Sequence, residues 1–179
     1  SGKETAKTPA GANLFKTLDG DKVKKLDKEK KEIFHSVVQK IAYISQRVRW
    51  DLGTAISFLK GRVHCPDEYD WAKLKRLAAY MNATKELGLT LGVVGKTDVV
   101  TSVDASHAVY ENGRSQGGLS MSLGIGSIRS RSHKLSINTK SSAESELVTT
   151  SDNAGEVVWE RGFLEGQGYK LGPSIVQQD

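Results

Sequence analysis

The hydrophobic periodicity of this sequence changes once, near Leu87, and that change limits the folds open to the chain. Before this point, apolar residues recur at steps of three and four, as they do along one side of an α-helix. After it, short runs rich in Val and Leu are separated by Gly and Ser, a pattern typical of strands and turns. The sequence therefore predicts an α+β or α/β fold: a small helical bundle followed by a partial mixed sheet with one long crossover helix.

Three helices are predicted in the first part of the chain. The first covers about residues 27–49, and the second covers about 51–63 and is stopped by Pro66. Asp67 is expected to cap the third helix, with Asp70 in its first turn. Each helix has one apolar stripe, so the three should pack as a bundle over residues 27–86. Residues 1–26, rich in Lys and Gly, are predicted to form a linker arm lying on a neighbouring element.

Strands and one long helix are predicted for residues 87–179. Strands are expected near 89–94, 99–104 and 133–139, with a hairpin that turns near residues 124–126. Ser141 and Glu144 fit a capping box that opens a helix to about Gly166, with Leu147, Val158 and Phe163 among its packing residues. Trp50, Trp71 and Trp159 are also interpreted as packing residues. A last strand begins at Ile175, and a helical crossover favours its lying parallel to an earlier strand.

Charge and cysteine content narrow the possible partners. The formal net charge of +5 arises from a basic excess before residue 99, which indicates either a polyanion-binding part or solvated lysines on helix surfaces. Lys73, Lys75 and Arg76 on the third helix are candidates for phosphate contacts.

The single cysteine, Cys65, excludes an intrachain disulfide and a thiolate zinc cage. With no signal-like N-terminus and no apolar run of membrane-spanning length, an intracellular protein without a membrane partner is expected.

Carboxylates at the predicted strand ends are candidate metal ligands. Asp104 ends one apolar strand and Asp179 ends another, so parallel neighbours would bring both carboxylates to the same edge. Two-metal phosphodiester chemistry needs a further carboxylate, which the start of the crossover helix offers as Glu144 or Glu146. These two residues face about 200° apart, and Glu144 has a capping role, so Glu146 is the predicted third ligand. Each acid taken alone is more simply interpreted as a solvated or capping residue.

Several spaced segments occur in an order that resembles a known family. In the first half of the chain they are residues 34–35, 41–45, 47–52, 55–59, 70–76 and 84–89. In the second half they are residues 103–106, 113–118, 141–147, 159–164, 167–169 and 177–179. Together they resemble the C-terminal part of copia-type retrotransposon reverse transcriptases, which is a connection or thumb-like region followed by a ribonuclease H domain.

This resemblance implies a function and a set of partners. Asp104, Glu146 and Asp179 would bind two Mg²⁺ or Mn²⁺ ions that activate water against RNA in an RNA·DNA hybrid, and Ser106 would contact nucleic acid. The upstream polymerase region would be a further partner, and the protein would reside in cytoplasmic particles or the nucleus. Because the family continues beyond the position of Asp179, hydrolysis by this chain is expected to be weak or absent.

Two alternatives remain open at this stage. One is a non-catalytic remnant of such an element that binds nucleic acid or protein, so whether the chain is an enzyme stays undecided. The other is a transposase or integrase core, which is disfavoured because the upstream helices resemble the reverse transcriptase. His107, close to Asp104 in sequence, is either a structural residue or a substrate contact.

Overall fold

The computed structural model describes residues 6–18, 24–94 and 98–178. The chain forms two compact units, which meet in sequence between Gly88 and Leu89. The first unit is helical, whereas the second combines strands with one long helix. The predicted α+β fold, with a helical bundle followed by a mixed sheet and a long crossover helix, is therefore confirmed. Within the described residues, no helix combines the length and the apolar character needed to cross a membrane.

The first unit contains three α-helices and a short 3₁₀ turn. They are α1 (Lys28–Ser45), the 3₁₀ turn (Trp50–Leu52), α2 (Gly53–Lys60) and α3 (Glu68–Ala83). Asp67 caps α3 as predicted: its side chain accepts from the backbone of Tyr69 and Asp70, and Asp70 reciprocates in a capping box. Phe34 and Leu77 are fully buried, so the predicted stripes do form a core.

Helix α1 ends four residues earlier than the predicted limit at residue 49. The backbone N–H groups of Arg47, Val48 and Arg49 all donate to Ile44 O, at 3.1, 3.1 and 3.3 Å, and this closes the helix. Val48 then lies beyond the last helical turn and is 56 % exposed, although its position in the pattern predicted a core residue. Ile33 and Ile44 are also exposed.

The described part of the N-terminal segment lies on α2 and α3. Leu14 is buried, and the Phe15 ring packs edge-to-face on Phe58 with the ring centroids 6.0 Å apart. Lys73 Nζ donates to Lys16 O, and Arg76 Nη2 donates to Thr8 Oγ1 at 2.8 Å. Val23, an apolar residue of the predicted arm, lies outside the described residues.

The second unit contains a four-stranded mixed sheet. Its strands are β2 (Val100–Ser106), β3 (Gln116–Ser122), β5 (Ser127–Lys134) and β6 (Ile175–Gln177), in the order β5-β3-β2-β6. The pairs β2–β3 and β3–β5 are antiparallel, whereas β6 lies parallel to β2. The helix α4 (Ser142–Gly166) supplies the crossover to β6, so the predicted parallel strand is confirmed.

Two predicted strands are shorter than expected or absent. Only Gly92–Val93, β1, is a strand within 89–94, and it pairs with β4 (Gly124–Ile125). The predicted strand at 133–139 is wrong, because β5 ends at Lys134. Leu135 then turns into the interior, where its N–H donates to Ser115 O at 2.9 Å, while Ile137 is 50 % exposed. The alternation of two apolar residues arises here from a turn.

Helix α4 is docked on the sheet mainly by small polar residues. Ser145, Thr149 and Asn153 are the buried residues of its N-terminal half, and Leu164 is buried near its end. Val103, Leu119 and Met121 form the apolar core of the sheet, with Val157 packed against them. Gly117 allows the close approach, because a Cβ at that position would lie 2.7 Å from Thr149 Oγ1. The predicted packing role of Leu147, Val158 and Phe163 is not observed, since all three are exposed.

Candidate functional site

Strand pairing defines the surroundings of Asp104, the first of the predicted carboxylate ligands. Asp104 lies near the end of β2 and is exposed, and the parallel register pairs Ser102 with Gln177. Asp179 lies outside the described residues. The predicted meeting of Asp104 and Asp179 at one sheet edge therefore stays a prediction.

The two glutamates at the start of α4 have different surroundings. The Glu144 N–H donates to Ser141 Oγ at 3.1 Å, and the Glu144 carboxylate accepts from the Lys140 N–H at 2.6 Å. The carboxylate thus caps the helix, although it reaches Lys140 rather than the Ser141 N–H that a regular capping box would use. Glu146 is half-buried and follows the fully buried Ser145. Its assignment as a metal ligand stays a prediction.

The metal site itself is not assembled by the residues that the structure describes. Among residues 6–18, 24–94 and 98–178, no group of three or more His, Cys, Asp or Glu side chains could hold a metal ion. Asp104 and Glu146 are the described members of the predicted set, and two carboxylates are too few for a pair of Mg²⁺ ions. Binding of Mg²⁺ or Mn²⁺ stays a prediction.

A hydroxyl cluster that the sequence analysis missed joins the turn after β2 to the start of α4. Ser115 Oγ lies 3.0 Å from both Thr139 Oγ1 and Ser145 Oγ, which are 2.6 Å apart. His107 Nδ1 lies 3.0 Å from Ser145 Oγ, and Ala108, which has a φ of 50°, donates its N–H to Ser115 Oγ. Since Ser115 and Ser145 are fully buried, the hydrogen bonds of this cluster stabilise the contact between the turn and the start of α4. This gives His107 a structural contact.

The predicted phosphate-binding residues have contrasting positions. Lys73 and Arg76 hold the N-terminal segment through Lys16 O and Thr8 Oγ1, whereas Lys75 is exposed. Lys73 Nζ also lies 4.2 Å from the centroid of the Phe58 ring. Ser106 is exposed at the end of β2, in the second unit. Their contacts with nucleic acid stay predictions.

Exposed aromatic residues form a second feature that the sequence analysis missed. Trp159 and Phe163 are 57 % and 49 % exposed, and their rings stack with centroids 5.5 Å apart and an interplanar angle of 8°. The Arg129 guanidinium of β5 lies 5.5 Å from the centroid of the Trp159 ring and pairs with Glu156. We call Arg129, Trp159 and Phe163 the aromatic shelf. The expectation that Trp159 is a packing residue is wrong, although the spacing of four residues on a helix could have indicated the pair.

A half-buried histidine, His133, lies near the end of β5. Burial, aided by the positive charge of Arg131, lowers the pKa of His133, while the Asp152 carboxylate 3.5 Å away acts in the opposite direction. The imidazole is therefore neutral at pH 7. The positive charge along this strand at neutral pH comes from its arginines and from Lys134.

Comparison with known proteins identifies a relative. Over 125 residues the chain is 32 % identical to "Secreted RxLR effector protein 161" of Plasmopara viticola, a match that covers 69 % of this chain and 88 % of the relative. The chain belongs to the family of this effector protein. No protein-family model and no solved structure matches the chain.

Membership of this effector family corrects the identification made from spaced motifs. The resemblance to copia-type reverse transcriptases is wrong, because the relative is named as a secreted effector. The effector relative therefore also overturns the ribonuclease H function that the resemblance implied. It likewise overturns the alternative of a remnant of a retrotransposon and the description of the chain as a retrotransposon hydrolase. The expected location in cytoplasmic particles or the nucleus is likewise overturned, because the matched relative is named as a secreted protein.

Proposed function

We propose that this chain is a secreted effector protein that acts by binding a partner protein. The observation that carries the proposal is the match to a secreted RxLR effector over 88 % of that relative's length. The aromatic shelf of Arg129, Trp159 and Phe163 is the surface best suited to such binding. Trp and Arg are enriched among the residues that dominate protein–protein binding energies.

The shelf combines exposed apolar area with a fixed geometry. Covering the exposed parts of Trp159 and Phe163 would remove roughly 200 Å² of apolar surface from water. That corresponds to about 5 kcal/mol before the costs of association. The stacking of the two rings, with the Arg129 guanidinium over Trp159, restricts their rotamers before binding, which lowers the entropy cost.

Polar groups at the border of the shelf favour a protein partner. Glu156 pairs with Arg129 and lies 3.8 Å from Arg131, so the apolar rings adjoin a charged network. An apolar centre with a charged rim is the usual composition of a protein–protein interface. The partner is therefore expected to present an apolar side chain or pocket with polar groups around it.

Two measurements test this proposal. The first is the distribution of the native protein between culture medium and cells of its source organism, measured with a specific antibody. Accumulation in the medium is expected, and retention entirely inside the producing cells would contradict secretion. The second is affinity purification with the wild-type chain, followed by reconstitution of each retained protein from purified components.

A matched pair of variants identifies the binding surface. Trp159→Ala/Phe163→Ala should weaken the reconstituted complex by at least about tenfold, since hot-spot residues each contribute about 2 kcal/mol or more. Leu147→Ala/Val158→Ala is the control, because these residues are also exposed on α4 but lie on another side of the helix. Equal binding by both double variants would refute the assignment of the shelf.

A further inference from the structure

A basic pocket lies in the first unit, between α1 and the turn that follows α2. Its volume is about 370 Å³, within the range of about 300–1,000 Å³ typical of small-molecule sites. The residues that line it are Lys28, Lys31, Glu32, His35, Val63 and His64. We call this cavity the basic pocket. It has no part in the surface proposed above for protein binding.

The lining of the basic pocket is rich in groups that can carry positive charge. Lys28, Lys31 and His35 recur at steps of three and four along α1, so they share one side of that helix. His64 contributes a second imidazole from the turn, and Glu32 is the one carboxylate among the described residues that line the pocket. The two lysines outnumber the single carboxylate, so the charge of the lining is positive.

The two lysines are not neutralised by neighbouring acids in the part of the chain that the structure describes. Lys30, on the same helix, pairs with Glu68 at 2.9 Å. Among the ion pairs of the described residues, none involves Lys28 or Lys31. With respect to these described residues, both ammonium groups are available for an anionic ligand.

The walls of the basic pocket are tied together by hydrogen bonds. The Arg62 N–H donates to Leu59 O at 3.0 Å and the Cys65 N–H donates to Arg62 O at 3.2 Å, which fixes the turn that carries Val63 and His64. The Leu26 N–H donates to Pro66 O at 3.2 Å and so joins the segment before α1 to the end of the same turn. A site with fixed walls loses less entropy when it binds a ligand.

From this lining we infer that the basic pocket binds a phosphomonoester group. Lysine is a common phosphate ligand that acts as a point charge with three N–H donors. Two lysine ammonium groups, opposed by one carboxylate, supply positive charge for a phosphate, and the two imidazoles add ring nitrogens that can hydrogen-bond to its oxygens. The volume leaves room for a few carbon atoms beside the phosphate, so both free phosphate and a small phosphate ester are compatible with it.

The experiment is a titration of the full chain followed by two-dimensional NMR at constant ionic strength. Inorganic phosphate and a sugar monophosphate are the probes, and a short DNA duplex is the comparison. We expect saturable shifts of the α1 and residue 61–65 amides, with dissociation constants below about 10 mM. Tighter binding of the sugar phosphate would identify a small ester as the ligand, and equal binding would identify free phosphate.

Matched double variants decide whether the lysines are responsible. Lys28→Gln/Lys31→Gln should weaken phosphate binding by about tenfold or more, because hydrogen bonds to charged groups are lost. Lys40→Gln/Lys85→Gln removes the same charge from exposed positions outside the pocket and should leave binding within about twofold. His64→Ala provides a further pocket variant, and the dispersion of each spectrum confirms that the variant is folded.

Three results would overturn the inference. They are the absence of saturable shifts with either phosphate probe, equal weakening by the two double-lysine variants, and binding of the duplex alone. The last result would show that the basic residues recognise a nucleic-acid backbone instead of a phosphomonoester. None of these outcomes depends on the effector function, so the two proposals can fail separately.

Discussion

Arg62 is a residue whose replacement should strongly destabilise the first unit. Its Nε donates to Asp70 Oδ2 at 2.9 Å, and its Nη2 donates to Asp67 Oδ2 at 3.2 Å. Both aspartate side chains are 1 % exposed, whereas that of Arg62 is 25 % exposed. One guanidinium therefore compensates two buried carboxylates at the start of α3. We expect Arg62→Met to leave both of them without a counter-charge.

The size of the effect follows from what remains after the replacement. Removing one partner of a buried ion pair costs about 3–5 kcal/mol. The lower end applies here because backbone donors stay in place: the Tyr69 and Asp70 N–H groups donate to Asp67 Oδ1 at 2.9 and 2.8 Å, and the Asp67 N–H donates to Asp70 Oδ2 at 3.2 Å. The expected loss is about 3 kcal/mol at pH 7.

The loss should depend on pH in a defined direction. Burial raises the pKa of Asp70 above its ordinary value of 3.8, although Arg62 acts to lower it. The stability contributed by such a group is present below pH 3.8 and is lost as the pH rises through the folded-state pKa. Without Arg62 the pKa rises further. The deficit of Arg62→Met relative to the wild type should therefore be larger at pH 7 than near about pH 4.

Amide hydrogen exchange of α3 measures this deficit within the first unit, whatever the stability of the second. Arg62→Lys is the control: it keeps the charge but loses the forked geometry, and it should cost about 1–2 kcal/mol. In the Arg62→Met background, Asp70→Asn should recover part of the loss. A deficit below about 1 kcal/mol at pH 7, or one equal at both pH values, would refute the reasoning.

Two further predictions concern α4 and its contact with the sheet. Gly117→Ala should destabilise the second unit by about 1–3 kcal/mol, because a Cβ there would meet Thr149 Oγ1 at 2.7 Å. Thermal unfolding measures the loss, and Gly155→Ala, whose Cβ would meet open space, is the control. Equal changes in stability for the two variants would contradict the clash. Ser141→Ala should cost about 1 kcal/mol of stability and speed amide exchange in the first turn of α4. Replacement of the exposed Ser142 by Ala is the control and should change neither quantity. Unchanged exchange in Ser141→Ala would show that Ser141 does not cap the helix.

The helix starts could be predicted from sequence because the interactions that form them are local. Asp67 and Ser141 each bond to a backbone N–H within three residues, so the residue type and the spacing carry the whole signal. The parallel direction of the β2–β6 pair could also be predicted from the sequence, since a helical crossover constrains the direction of the next strand. The two helix caps do not depend on distant parts of the chain.

Elements set by distant contacts were predicted less well. Leu147, Val158 and Phe163 are apolar residues of α4, yet the buried side of the helix consists of Ser145 and its polar neighbours. Which side of α4 faces the sheet depends on the hydroxyl cluster and on Gly117. Ser115 of the cluster and Gly117 lie about 30 residues before the helix contacts they make. Hydrophobicity alone could not identify this side of the helix.

The candidate site illustrates the same distinction. The sequence predicted Asp104 at a strand end and Glu146 near a helix start. In the structure β2 continues two residues beyond Asp104, to Ser106, and Glu146 follows the first turn of α4. Their interpretation as ribonuclease H ligands rested on resemblance, and the effector relative overturns that identification. Glycines at turns and acids at helix starts also meet requirements of the fold, and a fold does not specify a function.

The polar contact between α4 and the sheet has a consequence for the aromatic shelf. Small side chains let the helix approach the sheet closely, so the larger rings of Trp159 and Phe163 remain exposed instead of contributing to the core. Docking of α4 depends instead on the hydroxyl cluster, on Thr149 and on the apolar contact of Val157. Replacing the exposed rings therefore removes binding surface while the helix stays in place, which lets partner binding be separated from folding.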